Sequence, residues 1–127
     1  MRATQPADLD RLFEQLLNAA DLEGLVALYE PNASLTLMRV HEVTGTSAIR
    51  EALCGLLASR PRITIASVRV VAQTMDLALV SAEWRVTASG PDGKPSNTSG
   101  SSIEIARRQA DGRWLFAIDK PFGVSVG

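Results

Sequence analysis

The stretch "GTSAIREALCGLLASRPRITIASVRVVAQ", residues 45–73, decides the fold because its hydrophobic period changes in the middle. Before Pro61, apolar side chains recur at the three- and four-residue spacing of one helical face: Ile49, Ala52, Leu53, Leu56 and Leu57. Thr46 or Ser47 can cap this helix. After Pro61 the period falls to two, which predicts a strand over Ile63–Gln73. A slip of the apolar phase near Ala66 and Ser67 predicts a bulge or a bend in that strand.

Two more helices and a strand are predicted on the N-terminal side. "ADLDRLFEQLLNAAD", residues 7–21, has one apolar helical stripe, and Asp8 is the expected N-cap. Asp21 can cap a second helix, "LEGLVALYE" (residues 22–30), which Pro31 should end. Ala33–Val40 follows as a strand.

On the C-terminal side the period of two persists, which predicts three further strands: Leu77–Ala88, Ser99–Arg108 and Trp114–Asp119. The links between them are rich in turn residues and short enough for antiparallel hairpins. Three helices followed by an antiparallel meander predict an α+β fold, with the helices on one side of a curved sheet.

Composition limits the classes of function. The 127 residues, 46% apolar and 21% charged with net charge −1, suit a single soluble domain over 1–127. No basic cluster exceeds Arg107–Arg108, so we expect no nucleic-acid partner. No leader-like or long apolar segment is present, so we expect a cytoplasmic protein without a membrane partner. The single cysteine, Cys54, is expected to be a buried hydrophobe, and we expect neither a metal nor another cofactor.

Several strings resemble the nuclear transport factor 2-like superfamily, which includes ketosteroid isomerase and the SnoaL-like polyketide cyclases. "NAADLEGLVALYEPNASL" (18–35) and "GTSAIREAL" (45–53) resemble its opening helices and strand. "DGKP" (92–95) and "RRQADGRWLFAIDKPFG" (107–123) resemble the closing hairpin of ketosteroid isomerase homologues of unassigned activity. The resemblance implies a cone-shaped curved antiparallel sheet wrapped around three N-terminal helices, with a pocket on its concave face.

The resemblance also implies which side chains face the pocket. Alignment of the strand from Leu77 with the family would place Leu79, Glu83 and Arg85 on the concave side, with Glu104 and Asp119 from later strands. The opposite, convex face would be apolar and would be covered by a second subunit. This homodimer interface would contain Val80, Trp84, Ile103, Ile105 and Phe116.

Ketosteroid isomerase activity by the family's usual residues is not expected. At the positions of its tyrosine, aspartate base and aspartic acid, this chain has Phe13, Leu37 and Glu104. Phe13 cannot donate a hydrogen bond and Leu37 cannot carry a proton, so two of the three groups are inert.

The remaining candidates for catalytic residues are carboxylic acids and the arginine that could pair with them. SnoaL-like cyclases have an acid/base aspartate on the strand region that corresponds to Asp119, which otherwise would only bond a nearby turn. Glu104 and Glu83 could each pair with Arg85, either as structural pairs or with shifted pKa values. We therefore take Asp119, Glu104 and Arg85 as catalytic candidates, and the expected pocket lining is Phe13, Leu17, Leu37, His41, Leu79 and Glu83.

Two functions remain open at this point. One is a metal-free isomerase, cyclase or hydrolase that transfers protons on a small hydrophobic or mixed-polarity ligand. The alternative is a non-catalytic ligand-binding or dimeric association module, in which Arg85 would recognise a carboxylate or polar ligand.

Overall fold

The computed structural model describes residues 2–37 and 41–124. Three helices precede most of the sheet: α1 (Asp8–Asn18), α2 (Leu22–Val26) and α3 (Thr46–Leu57). The strands are β1 (Tyr29–Leu37), β2 (His41–Thr44), β3 (Arg62–Gln73), β4 (Leu77–Ser89), β5 (Pro95–Ser101), β6 (Ile103–Arg108) and β7 (Trp114–Lys120).

The seven strands form one curved sheet in the order β2-β1-β7-β6-β4-β3, with β5 paired to the second half of β4. The α+β class predicted from the period change is confirmed. The sheet is mixed rather than wholly antiparallel, because β1 runs parallel to β7 while the other pairs are antiparallel.

Helix starts follow the predicted caps in one case of three. Asp21 caps α2, and its carboxylate accepts from the Gly24 N–H at 2.9 Å. Asp8 is instead the first residue of α1, where its carboxylate accepts from the backbone of Thr4 and Gln5. Helix α3 begins after Gly45, whose φ of 93° is accessible to glycine at little cost, and has no side-chain cap.

The strand bounds differ from the predictions mainly near β1 and β5. Helix α2 ends at Val26 and β1 already begins at Tyr29, so Pro31 lies inside a strand rather than after a helix. The short strand β2 was not predicted, and residues 38–40 of the predicted first strand lie outside the described residues. The predicted strand Ser99–Arg108 is divided into β5 and β6. The bulge expected near Ala66 is confirmed by a register shift between Ile65 and Ser67.

Side chains of α1 bond the outer edge of β3. Asn18 donates its amide to the Ile63 carbonyl at 2.9 Å and accepts from the Ile63 N–H at 2.8 Å. Glu14 accepts from the Ile65 N–H at 2.7 Å, and Arg11 donates to the Ile65 carbonyl at 3.0 Å. Four bonds therefore fix the helix against the first part of the edge strand.

The expected orientation of β4 is wrong. Ala82 is buried and Trp84 lines the cavity beneath the helices, whereas Glu83 and Arg85 are exposed on the opposite, convex face. This orientation buries apolar surface and leaves both charges in water, where they need no partner. Arg85 takes part in none of the ion pairs formed within residues 2–37 and 41–124.

The observed orientation of β4 also changes which residues can belong to the expected dimer surface. Val80 and Phe116 are fully buried on the concave side, and Trp84 also faces that side. Ile103 and Ile105 do lie on the convex side, half-buried, because their neighbour Glu104 points inward. In β7 a register shift brings both Phe116 and Asp119 to the cavity, where strict alternation would have separated them.

The core lies between the helices and the concave face. Its largest fully buried apolar side chains are Leu9, Leu17, Leu25, Leu35, Ile49, Leu53, Val80 and Phe116. Helix α1 contributes Leu9 and Leu17, as its apolar stripe predicts.

Candidate functional site

A cavity of about 480 Å³ opens between the helices and the concave face of the sheet. That volume lies within the range of about 300–1,000 Å³ that is typical of small-molecule sites. Most of its lining is apolar and comes from α1, α3 and four strands: Phe13, Leu17, Leu35, Leu37, Leu53, Leu56, Ile63, Ile65, Ala82, Trp84, Val86 and Phe116.

Four titratable side chains line this cavity, and they come from four different elements. Asp10 comes from α1, Tyr29 from β1, Glu104 from β6 and Asp119 from β7. Glu104 and Asp119 are direct cross-strand partners, so their side chains leave the sheet side by side. We call these four residues the acidic cluster.

Within the acidic cluster, Tyr29 holds Asp119. The Tyr29 hydroxyl donates to Oδ2 of Asp119 at 2.6 Å, and both residues are buried. Burial raises the pKa of Asp119 to about 7, although the Tyr29 hydrogen bond acts to lower it and the Asp10 charge to raise it. A carboxyl with such a pKa exchanges its proton near neutral pH, which suits an acid or a base.

Glu104 and Asp10 form a second carboxyl pair. Glu104 is only 1% exposed, and burial together with the adjoining Asp10 carboxyl raises the pKa of Glu104 to about 11. Burial also raises the pKa of Asp10. Both oxygens of Glu104 and Oδ2 of Asp10 meet no conventional donor among the described residues. Glu104 is therefore neutral at pH 7, and its proton can bridge to Asp10.

Trp84 forms part of the cavity wall. Its indole Nε1 donates to the Pro121 carbonyl at 2.7 Å, and its ring meets the edge of Phe122 with centroids 5.2 Å apart. The indole lies across Gly100, where an added Cβ would come within 2.8 Å of the ring. The wall therefore requires both a glycine in β5 and the segment that follows β7.

The structure brings together some of the residues expected at the site. Asp119 and Glu104 line the cavity, as do the apolar residues Phe13, Leu17 and Leu37. The expected partner of Glu104 was Arg85, and this expectation is wrong because Asp10 occupies that position.

Four other expectations place residues wrongly. His41 is exposed at the start of β2 and does not line the cavity. Leu79 and Glu83 lie on the convex face, since their neighbours Val80 and Ala82 point inward. Cys54 is exposed on α3 rather than buried, because Leu53 takes the inward position.

Two members of the acidic cluster were missed from the sequence. Asp10 shares a helical face with Phe13 and Leu17, at spacings of three and four, and this pattern could have placed it in the pocket. Tyr29 falls within the segment predicted as the second helix, and neither its strand position nor its bond to Asp119 has a local signal in the sequence.

Among residues 2–37 and 41–124, no set of three or more His, Cys, Asp or Glu side chains is arranged to hold a metal ion. Within the same residues, no helix is both long and apolar enough to cross a membrane.

Comparison of the sequence with models of protein families gives a match that covers most of the chain. The model of the SnoaL-like domain matches residues 9–116, so the chain belongs to the SnoaL-like family.

Solved structures with this fold include proteins with different names. A candidate aromatic ring hydroxylase from Novosphingobium aromaticivorans is 19% identical, with a TM-score of 0.79 over 88% of this chain and 81% of that one. A ketosteroid isomerase-like protein from Erwinia carotovora atroseptica is 18% identical, with a TM-score of 0.75 over 88% of each chain.

A candidate dehydratase of the NTF2-like family from Streptomyces avermitilis is 17% identical, with a TM-score of 0.75 over 87% of this chain and 88% of that one. At such identities the likeness is one of fold. No curated protein matches the sequence.

Proposed function

We propose that this SnoaL-like domain is a small enzyme of isomerase, cyclase or hydrolase type that works by proton transfer on a largely apolar molecule. Asp119 is the acid/base group. The chemistry of such a step needs one carboxyl that can both accept and return a proton, and it needs a dry cavity that holds the substrate.

The observation that carries this proposal is the setting of Asp119. Its carboxyl lines the cavity, is held by Tyr29 at 2.6 Å, and has a pKa of about 7 because it is buried. A purely structural carboxylate at a strand end would instead be bonded to a turn and would keep a low pKa.

The other members of the acidic cluster support this role. Glu104 is neutral at pH 7, so the cavity does not hold two adjacent negative charges when Asp119 ionises. Tyr29 is a positioning residue, because its hydroxyl fixes one oxygen of a carboxyl that lines the cavity. In the reacting step, a C–H bond next to a carbonyl breaks and its proton moves to Asp119. The same proton then returns to another atom of the substrate.

Proton transfer can be tested before the substrate is known. The purified protein is incubated in D₂O with a panel of apolar carbonyl compounds that have exchangeable α-hydrogens, with and without an amino group. Mass spectrometry then measures deuterium uptake. We expect uptake above the buffer rate for part of the panel, and we expect Asp119→Asn to abolish it.

The matched control is Glu51→Gln, which removes an exposed carboxylate on α3 that does not line the cavity. This variant should exchange at the wild-type rate. Compounds that bind without exchange across the whole panel would favour the alternative, a non-catalytic ligand-binding module.

We also propose a homodimer through the convex face, with interface residues that differ from those expected from the sequence. Ala72, Leu79, Ile105 and Ile118 are successive cross-strand partners, and they form one apolar row over four strands. Ile118 is 39% exposed. A second copy of the chain would remove this row from water.

A further inference from the structure

The hydrogen-bond donors around the cavity are already in use. Most of the donor groups of the lining bond to acceptors of the protein: Tyr29 to Asp119, Ser59 to the Leu56 carbonyl, Ser102 to the Ala82 carbonyl, and Trp84 to the Pro121 carbonyl. Thr98, the remaining hydroxyl of the lining, lies on the solvent-exposed strand β5. The buried part of the cavity therefore offers a ligand few free donors.

Acceptors, in contrast, are in excess at the acidic cluster. Both oxygens of Glu104 and Oδ2 of Asp10 are buried without a conventional donor from the described residues. One shared proton can join a Glu104 oxygen to an Asp10 oxygen. The Ser102 hydroxyl is near enough to act on the pKa of Glu104, but it donates to the Ala82 carbonyl at 3.3 Å, so the second Glu104 oxygen has no donor of its own. Buried acceptors without donors are unfavourable, so a ligand that supplies donors gains by binding here.

The cavity also lacks a positive charge. None of the described residues that line it is a lysine, arginine or histidine. The nearest basic group on α1 is Arg11, which is half exposed and bonds the Ile65 carbonyl and Glu14 outside the cavity. A ligand carboxylate would therefore meet only acidic groups, which excludes the recognition through Arg85 considered from the sequence.

We infer that the cavity binds an apolar amine, whose ammonium group lies among Asp10, Glu104 and Asp119 and whose hydrocarbon body packs against the aromatic wall. An ammonium supplies three N–H donors and the missing positive charge. Phe13, Trp84, Phe116 and Phe122 line the same cavity and offer rings to the body of the ligand and to its cationic end. The inference rests on the proposed function only in taking the cavity as the ligand site, and it names the ligand class.

This site has a predictable response to pH. The titratable or charged groups that face it are Asp10 and the nearby Arg11 from α1, Tyr29 from β1, Glu104 from β6 and Asp119 from β7. A bound ammonium favours ionised carboxylates, so binding should release protons. Affinity for an amine should therefore rise as the pH is raised from about 6 to 8.

The experiment uses three probes with one hydrocarbon body: naphthalen-2-ylmethanamine, naphthalen-2-ylmethanol and 2-naphthoate. Isothermal titration calorimetry at pH 7 should show that the amine binds at least about tenfold more tightly than the alcohol, with no binding of the naphthoate. The binding enthalpy of the amine should differ between phosphate and Tris buffers in the direction that indicates release of protons from the protein on binding.

Variants locate the bound head group. Asp10→Asn and Glu104→Gln keep the side-chain shape and should weaken amine binding about tenfold or more, with little change for the alcohol. Glu51→Gln should bind as wild type. Circular dichroism and thermal melting show that each variant is folded.

Equal binding of amine and alcohol, or naphthoate binding that strengthens at low pH, would overturn the inference. Amine binding whose affinity is unchanged by both substitutions would also overturn the inference. These outcomes are independent of turnover: amine binding without deuterium exchange refutes the proposed enzyme and leaves the ligand class standing, and exchange without amine preference does the reverse.

Discussion

Replacing Glu104 by glutamine should stabilise the protein at neutral pH. The buried carboxyl stays protonated in the folded state, with a pKa raised from 4.5 to about 11 by burial and by Asp10. In the unfolded chain it ionises near its ordinary pKa. The folded state thus binds more protons, and the contribution of Glu104 to stability is full below about pH 4.5 and is lost progressively as the pH rises toward 11.

The magnitude follows from the pH interval. At pH 7 the solution is about 2.5 pH units above the ordinary pKa of the unfolded carboxyl, and each unit is worth about 1.4 kcal/mol, which gives about 3.5 kcal/mol. Glutamine cannot ionise, and its amide can donate to the Asp10 carboxylate in place of the shared proton. The free energy of unfolding of Glu104→Gln should exceed that of wild type by about 3.5 kcal/mol at pH 7 and by almost nothing at pH 4.5.

Urea denaturation followed by circular dichroism at several pH values between about 4.5 and 8.5 measures this difference. The control is Glu51→Gln, whose difference from wild type should stay small and constant because its carboxylate is exposed. A pH-independent difference for Glu104→Gln would refute the reasoning. So would a loss of stability at pH 7, since it would mean that Glu104 is ionised and paired in the folded protein.

Three further outcomes are expected. Tyr29→Phe removes the 2.6 Å bond that favours the Asp119 carboxylate, so the pKa of Asp119 should rise above about 7. A carboxyl ¹³C NMR titration measures this pKa. An unchanged titration midpoint would contradict the role of the Tyr29 bond in setting the pKa of Asp119. Ile105→Glu puts a charge in the convex apolar row and should give the 13.6 kDa monomer by light scattering, while Ser47→Glu, at an exposed position of α3 outside the sheet, leaves a dimer. Ketosteroid isomerisation, followed by enone absorbance, should stay at the buffer rate, because Phe13 and Leu37 lack the required polar groups; a fast rate that Asp119→Asn abolishes would contradict this.

The order of elements could be predicted from the sequence because it depends on local patterns. The change of period at Pro61 gave the α+β class, Asp21 gave a helix cap, and the slip near Ala66 gave a bulge. Each of these signals involves residues within a few positions of one another. No long-range contact is needed to interpret them.

The orientation of β4 could not be obtained in this way. Alternation shows that Trp84 and Val86 share one face and that Glu83 and Arg85 share the other, but it does not show which face lies under the helices. The register with β6 decides it, because Val80 lies opposite Glu104 and both point into the core. The acidic cluster could not be predicted for the same reason, since its four residues come from four elements.

The bonds from α1 to β3 also bear on how the protein stays dispersed. An uncovered strand edge can pair with another chain, and here Asn18, Glu14 and Arg11 occupy the backbone groups of Ile63 and Ile65. Strand β5, which pairs with β4, is protected by composition instead: "PSNTSGS" begins with proline and has no large apolar side chain. The end of β3 has neither protection, and Val71 there is 48% exposed. Any self-association into aggregates on heating should therefore begin at residues 70–73, away from the cavity and at the Ala72 end of the convex row.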